Sequence, residues 1–231
     1  VDGRGQLLVF GGQVMKNVAG YDISRLLAGS LGTLGLILEV SLKVAPRPAA
    51  ELTLQLELPQ AKALDSLNRW AGQPLPITAS AWHDGDLGLR LSGAARAVRA
   101  AAQTLGGERV DAALAADYWA GIREQTDPFF AGETPLWRLS LPSHAPAVDL
   151  PGPQLIEWGG ALRWLKTGAD AATVRAAAAG AGGHATLFRA REKPAGTFMP
   201  LPPVLARLHR ELKSAFDPAG ILNPRRMVPE F

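Results

Sequence analysis

The residues most suited to chemistry lie in a glycine-rich segment near the start of the chain, residues 11–35, with the sequence GGQVMKNVAGYDISRLLAGSLGTLG. Glycine lets backbone N–H groups approach a ligand closely and adopts positive φ angles readily. Turns of this kind can bind phosphate or ribose. The spacing matches neither the Walker A motif nor the GxGxxG fingerprint. The residues alone therefore leave open a ligand-binding loop and a tight structural turn, and they favour the structural turn.

Positive charge is concentrated at the other end of the chain. The 231 residues carry a net charge of +3. Residues 187–231 contain eight basic and four acidic residues, a local balance of +4. The anionic partners that such a segment can attract are a phosphate-bearing cofactor, an acidic protein face or nucleic acid.

Residue types also exclude several kinds of site. The chain has no Cys, which excludes cysteine-ligated zinc, an iron–sulfur cluster held by this chain, disulfides and cysteine nucleophiles. Its four histidines are scattered, and no two have the spacing of metal ligands. We therefore predict no metal site, and His184, alone on a predicted strand, favours a structural role.

Composition predicts a folded chain that does not cross a membrane. Apolar residues make up 47% and charged residues 19%, the reverse of a disordered chain. The most apolar run without a charge, residues 26–38, has 13 residues, whereas a spanning helix needs about 20. No signal peptide opens the chain. We expect a cytoplasmic location, with attachment to the inner face of the membrane through partners left open. Because Val1 stands where a native start would carry Met, we expect a fragment of a longer protein.

Three regions differ in composition: residues 1–48, 49–189 and 190–231. The first predicts strands at 6–10 and 36–44 around a short helix at 23–28, with Asp22 as its N-cap. The second holds all six Trp residues, and its order of strands and helices predicts an antiparallel sheet covered by helices, a doubled ferredoxin-like unit with a hairpin at Asp84-Gly85-Asp86. The third predicts a helix at 204–216 that follows two prolines. The fold class is α+β.

Four stretches carry a resemblance to a known family. GYDISRLLAGSLGTLGLILEVSLKVAP resembles the signature of FAD-linked oxidases of the vanillyl-alcohol oxidase and p-cresol methylhydroxylase (PCMH) type. GGQVMKNVA and GGHATLFRA are similar to the FAD-binding subunits of bacterial glycolate oxidases. FDPAGILNPRRM resembles the closing DPxGxLNPG motif of the family, with Arg225 where that motif usually has glycine.

The resemblance implies a domain arrangement and a set of cofactor-binding residues. Residues 1–48 would be the second half of a PCMH-type FAD-binding domain, 49–189 a cap or substrate domain, and 190–231 a tail that returns to the FAD domain and packs against residues 1–48. Catalytic residues are not assigned. The cofactor-binding residues implied are Gly20, Asp22, Gly32, Thr33, Leu34, Gly35, Ile37 and Asn223.

The resemblance also implies a function. The longer protein would bind FAD, oxidise glycolate or a similar 2-hydroxy acid to the 2-oxo acid, and belong to a complex with a second flavoprotein subunit and an iron–sulfur subunit. Because this chain has no Cys, electrons would leave the flavin to a partner. In the family the main pyrophosphate-binding loop precedes the part that Val1 begins, so we expect this fragment to hold no FAD.

Two other functions stay open at this point. One is a non-catalytic docking or electron-relay subunit of the same complex. The other is a nucleic-acid-binding protein, suggested by the basic tail and the ferredoxin-like sheet. This last ranks lowest, because the sequence has neither an aromatic RNA-binding strand nor a dense stripe of Arg and Lys.

Overall fold

The computed structural model describes residues 1–11, 22–194 and 196–228, which form two compact units. Unit 1 combines Val1–Ala45 with Pro200–Phe231, and unit 2 is Pro46–Met199. Residues 190–199, which the sequence groups with the tail, belong to unit 2. Their backbone is bonded there, since Thr197 O accepts the N–H of Leu187 at 2.9 Å and Phe198 O accepts from Arg175 at 3.0 Å.

Unit 2 is built on one antiparallel sheet, as the sequence predicts. Within the described residues its strands are β1 (Ala50–Glu57), β2 (Ile77–His83), β3 (Asp86–Gly93), β4 (Glu108–Arg109), β5 (Leu136–Ser140), β6 (Gln154–Glu157), β7 (Leu162–Lys166) and β8 (His184–Arg189). Their order across the sheet is β4-β1-β3-β2-β6-β7-β5-β8, and every neighbouring pair is antiparallel.

Helices are divided between the two units. Unit 1 has α1 (Ile23–Leu27) and α6 (Pro203–Phe216). Unit 2 has α2 (Gln60–Ala71), α3 (Ala95–Leu105), α4 (Ala112–Glu124) and α5 (Ala171–Gly180), with short 3-10 turns at Pro128–Phe130 and Trp158–Gly160.

The strand order confirms a doubled ferredoxin-like unit. The first half has the element order β1-α2-β2-β3-α3-β4 along the chain, and its strands lie across the sheet in the order β4-β1-β3-β2. In the second half, the strands read β8-β5-β7-β6 from the opposite edge, which is the same order of fourth, first, third and second strand. The two halves meet where β2 pairs with β6. The predicted hairpin is confirmed. Its two-residue loop, Asp84-Gly85, has φ angles of 48° and 92°, the left-handed pair that a tight hairpin turn requires.

One face of the sheet carries most of the core. Leu87, Leu89 and Leu91 of β3 are fully buried in a cluster shared with α2 and α3, and Trp137 and Leu139 of β5 lie in a second cluster shared with α5. On the opposite face lies α4, where Trp119 Nε1 donates to Thr53 Oγ1 at 2.9 Å. Burial of the Trp residues is mixed: Trp82, Trp137 and Trp164 are buried, whereas Trp158 is 67% exposed.

A buried arginine holds a loop that stands where a ferredoxin-like unit has a helix. The second half has no helix between β5 and β6, and residues 141–153 run there as a loop. Arg163, fully buried on β7, donates to the carbonyl oxygens of Ala145, Pro146 and Gly160. Burial lowers its pKa to about 10. Its guanidinium thus supplies the hydrogen bonds that fix the loop.

The two strands predicted in unit 1 are not formed. Residues 6–10 and 36–44 lie outside any strand, and their apolar side chains are exposed, with Val9 at 88% and Leu42 at 81%. The prediction of these two strands is wrong, because a strand-like sequence pattern forms a strand only with a hydrogen-bonded neighbour. Val1 and Leu36 exchange a pair of backbone hydrogen bonds, and no described residue continues that pairing along 37–44.

The two ends of the chain pack together in unit 1, as predicted, through a buried ion pair. The ammonium group of Lys213 on α6 donates to Asp217 Oδ2 at 2.6 Å, to Thr33 O at 2.8 Å and to Leu222 O at 2.6 Å. Asp217 also accepts from the N–H groups of Ile221 and Leu222. Both side chains are almost fully buried, so every donor of the ammonium is used inside the protein.

We expect Lys213→Met to destabilise unit 1 by about 3–5 kcal/mol, because it leaves a buried carboxylate and two carbonyl oxygens without their partner. Tryptophan fluorescence reports only unit 2, which holds all six Trp residues, so the measurement is amide hydrogen exchange at Ile221 and Leu222. The control is Arg210→Met on the exposed side of the same helix. Equal exchange in the two variants would contradict the prediction.

Acid should weaken the same network. Burial raises the pKa of Asp217, but hydrogen bonds from Lys213, Leu222 and Ile221 outweigh it and hold that pKa below its ordinary value. The pKa of Asp217 is therefore lower in the folded chain than in the unfolded chain, where it is about 3.9. The stabilisation from the Asp217 carboxylate is complete above the unfolded pKa. It is lost as the pH falls from there through the folded pKa. Exchange at Leu222, corrected for the intrinsic pH dependence, should rise in this range. Asp217→Asn should show no such rise, and an identical rise in that variant would refute the assignment.

Candidate functional site

Helix α1 leads into the glycine-rich turn of unit 1. Asp22 caps the helix as predicted, since its Oδ1 accepts the backbone N–H of Arg25 at 3.0 Å. Its Oδ2 also forms an ion pair with the Arg25 side chain, 2.7 Å from Nε. The helix ends at Leu27, and the chain turns through left-handed conformations at Gly29, Leu31 and Gly32. Asp22 is therefore used by its own helix, and the turn is the part that presents backbone to a ligand.

The structure brings together two of the residues assigned from the sequence, Gly32 and Asn223. The Asn223 amide donates to Leu31 O at 2.7 Å. A Cβ atom on Gly32 would lie 2.8 Å from Asn223 Nδ2, and Gly32 has φ +72°. Only glycine allows the tail to approach the turn this closely.

The left-handed backbone continues along the tail. Asn223 has φ 40° and Arg225 has φ 62°. Position 225 is where the resembled motif usually has glycine, and its left-handed conformation gives the physical reason for that preference. Arg225 occupies this conformation here despite the steric penalty for a residue with a Cβ atom.

The other assigned residues lie around this contact in different environments. Thr33 and Leu34 are buried, and the Thr33 hydroxyl donates to Ser30 O at 2.7 Å, so neither side chain is presented to solvent. Gly35 lies against Val1 O, which a Cβ atom would meet at 3.0 Å. Ile37 is 48% exposed. Gly20 lies outside the described residues.

A small pocket of about 140 Å³ opens beside the turn, lined by Ser30, Thr33, His209, Lys213 and Met227 among others. On the exposed side of the turn, the N–H groups of Leu31 and Gly32 have no hydrogen-bond partner among the described residues. Two such N–H groups beside an asparagine amide fit a phosphate or ribose in part.

A larger cleft of about 810 Å³ lies within unit 2, lined by residues of the sheet, of α2 and of α4. Arg90 of β3 lies over the Trp119 ring, 5.6 Å from its centroid, and Arg138 of β5 lies over the Trp158 ring at 6.0 Å. Trp158 has φ 52°, a strained conformation for a residue with a large side chain. None of these residues was predicted from the sequence to be functional; the signal that could have indicated them is the Trp158-Gly159-Gly160 turn.

Glu157 is the acidic residue that lines this cleft. Its Oε2 accepts from Trp164 Nε1 at 2.6 Å. Burial raises the pKa of Glu157 above its ordinary value, against the hydrogen bond from Trp164 and the charge of Arg138. Its carboxyl is thus shifted toward the neutral form at the edge of an arginine-containing cleft.

His83 and His184 lie in separate environments. His83 Nδ1 lies 2.8 Å from Gln154 O and the ring meets Phe129 edge-on, whereas His184 is exposed on β8. Over residues 1–11, 22–194 and 196–228, no three His, Asp or Glu side chains come together as metal ligands.

Comparison with known proteins shows what the chain is similar to. Residues 191–227 match the C-terminal domain of FAD-linked oxidases. Over 230 residues the chain is 50% identical to glycolate oxidase subunit GlcE of Escherichia coli. The aligned region covers 100% of this chain and 64% of that protein. The chain thus spans less than two thirds of the length of this relative.

Two further relatives match shorter stretches. Glycolate oxidase subunit GlcD of Bacillus subtilis is 46% identical over 51 residues, 22% of this chain and 11% of that protein. D-2-hydroxyglutarate dehydrogenase of Xanthomonas citri is 39% identical over 59 residues, 26% of this chain and 12% of that protein.

No helix in the described parts of the chain has the length and apolar character needed to cross a bilayer. The α+β fold, with its antiparallel sheet, agrees with the family match. The chain is thus similar along its whole length to a glycolate oxidase subunit, and residues 191–227 are similar to the C-terminal domain of FAD-linked oxidases.

Proposed function

We propose that the longer protein to which this chain corresponds is the FAD-binding subunit of a glycolate oxidase complex. It would oxidise glycolate or a similar 2-hydroxy acid to the 2-oxo acid. The observation that carries the proposal is the 50% identity over the entire chain to glycolate oxidase subunit GlcE. A shorter match to an enzyme named D-2-hydroxyglutarate dehydrogenase supports the substrate class, since that name also denotes a 2-hydroxy acid.

Within this chain, the turn and the tail would hold one side of the flavin cofactor. The free N–H groups of Leu31 and Gly32 would donate to a phosphate or ribose oxygen, and Asn223 would keep the turn in the conformation that presents them. Buried Lys213 fixes both segments from beneath, through Thr33 O and Leu222 O. When bound, FAD supplies the redox step, since it accepts two electrons and a proton from the substrate.

The partners in this proposal are the other glycolate oxidase subunits, a second flavoprotein subunit and an iron–sulfur subunit, in the cytoplasm. Because the chain has no Cys, an iron–sulfur acceptor would have to be held by a partner. Bleaching of this subunit's flavin by glycolate without oxygen would support direct oxidation. A flavin that is reduced only when the second flavoprotein is present would instead indicate the electron-relay function.

The chain of 231 residues should bind FAD only weakly. The turn offers two backbone N–H groups, each worth about 0.5–1.5 kcal/mol net, whereas association costs several kcal/mol before any gain appears. Titration of FAD followed by flavin fluorescence should therefore show no saturation at micromolar concentrations. Saturable binding at or below micromolar concentration would show that this part of the protein is sufficient.

In the longer protein, Gly32→Ala should reduce the flavin content well below that of Gly29→Ala. Both glycines have positive φ angles, so both substitutions strain the backbone. A Cβ at position 29 meets no atom within 4 Å, whereas one at position 32 displaces the Asn223 amide from Leu31. The ratio of flavin to protein absorbance measures the difference, and equal ratios in the two variants would remove Asn223 from the proposed site.

A further inference from the structure

One end of the unit 2 cleft brings together a cation, a carboxyl group and two tryptophan rings. The guanidinium carbon of Arg138 lies 6.0 Å from the centre of the Trp158 ring. Glu157 precedes Trp158 in the chain, and its Oε2 accepts from the indole N–H of Trp164 at 2.6 Å. Trp164 is in turn the partner of Arg138 in the pairing of β5 with β7. Arg138 and Glu157 therefore flank the same two tryptophan residues, and all four line the cleft.

The two charged groups lie near each other without forming a direct ion pair. Burial raises the pKa of Glu157, and the positive charge of Arg138 opposes that shift. Among the described residues, however, no carboxylate oxygen lies within 4.0 Å of an Arg138 nitrogen. Opposite charges that act on each other across such a gap leave room between them for a small polar ligand.

Both groups keep hydrogen-bonding capacity for a ligand. Arg138 donates through Nη1 to Ser140 Oγ at 3.1 Å, while its Nε and Nη2 have no hydrogen-bond partner in the described part of the chain. Glu157 Oε1 likewise accepts no hydrogen bond from the described residues. A guanidinium presents paired N–H groups to a carboxylate, and an ionised carboxyl group accepts from a hydroxyl. The pair matches a molecule that carries a carboxylate and, next to it, a hydroxyl group.

The backbone at this end of the cleft is strained. Trp158 has φ 52°, although its side chain is large, and it is 67% exposed. Gly159 follows with φ 63° and donates its N–H to Ser80 Oγ at 3.0 Å, which holds the turn. Core packing does not account for the strain, because the Trp158 side chain is exposed. Backbone strain of this kind clusters at ligand-binding and active sites.

We propose that this end of the cleft binds a 2-hydroxy acid, with its carboxylate on Nε and Nη2 of Arg138 and its hydroxyl group donating to Oε1 of Glu157. The Trp158 ring holds the guanidinium in place. The class of substrate rests on the proposed function, whereas the two recognising residues are assigned from the cleft itself. The site lies wholly in unit 2 and uses none of the residues assigned to the flavin.

Recognition of the hydroxyl group separates the substrate from its product. A 2-oxo acid has the same carboxylate but no hydroxyl proton, so its oxo oxygen and the Glu157 carboxylate meet as two acceptors. The 2-oxo acid is therefore the weaker ligand at this site.

The test uses the chain of 231 residues and its own tryptophan fluorescence, since Trp158 and Trp164 lie at the site. The probes are glycolate, D-lactate and L-lactate, with acetate, propionate and pyruvate as acids that lack the hydroxyl group. All are compared at one ionic strength, and the signal is corrected for the absorbance of pyruvate. We expect saturable binding of at least one 2-hydroxy acid, at least ten-fold tighter than that of its partner without the hydroxyl group. No saturation with any 2-hydroxy acid, or equal affinity for lactate and propionate, would overturn the proposal.

Variants assign the two groups. R138M should weaken the best 2-hydroxy acid at least ten-fold, whereas R96M, exposed on α3, should have no effect. If R138M fails to fold, R138K keeps the charge without the paired donors and should show a smaller loss. Because Trp164 Nε1 needs an acceptor, the amide oxygen introduced by E157Q faces it, and the amide N–H groups face the ligand. E157Q should therefore remove the preference for lactate over pyruvate, and an unchanged preference would exclude Glu157 from the site.

The longer protein distinguishes this inference from the proposed function. If glycolate bleaches its flavin equally well in the R138M variant, the proposed function holds and the site assignment is wrong. If the unaltered protein binds lactate with the expected dependence on Arg138 but its flavin is never reduced by a 2-hydroxy acid, the binding site holds and the proposed function is wrong.

Discussion

The buried ammonium group of Lys213 is the interaction on which unit 1 depends. Its three hydrogen bonds reach the glycine-rich turn at Thr33, its own helix at Asp217 and the tail at Leu222. These segments are separated by as many as 189 positions in the sequence, yet one charge fixes them together. A buried charge is tolerated only when it is fully bonded, so any change in one segment is felt by the other two. The exposed N–H groups of the turn are held in place from beneath by this network.

Unit 2 uses a buried cation differently. Arg163 has carbonyl oxygens rather than a carboxylate as its partners, and it fixes a loop where the first half of the sheet has a helix. A loop in place of that helix still leaves the strand order of the two halves the same. Each half of the sheet keeps its own core cluster, one packed against α2 and α3 and the other against α5.

The two units present different chemistry. Unit 1 offers backbone N–H groups and an amide beside a small pocket, which suit phosphate or ribose. Unit 2 offers guanidinium groups stacked on tryptophan rings around a wide cleft, which suit carboxylates. The two kinds of chemistry come from separate parts of the sequence.

The sequence by itself determined the local structure. The Asp22 cap, the Asp84-Gly85 hairpin and the order of strands and helices in unit 2 follow from side-chain chemistry within a few residues, and the motif at residues 20–35 indicated the family. Only the tertiary structure decided which segments meet. Residues 36–44 have a strand pattern but form no strand, because pairing depends on a neighbour that local sequence does not specify. Likewise Gly32 and Asn223 come into contact only through long-range packing, which no spacing along the chain records.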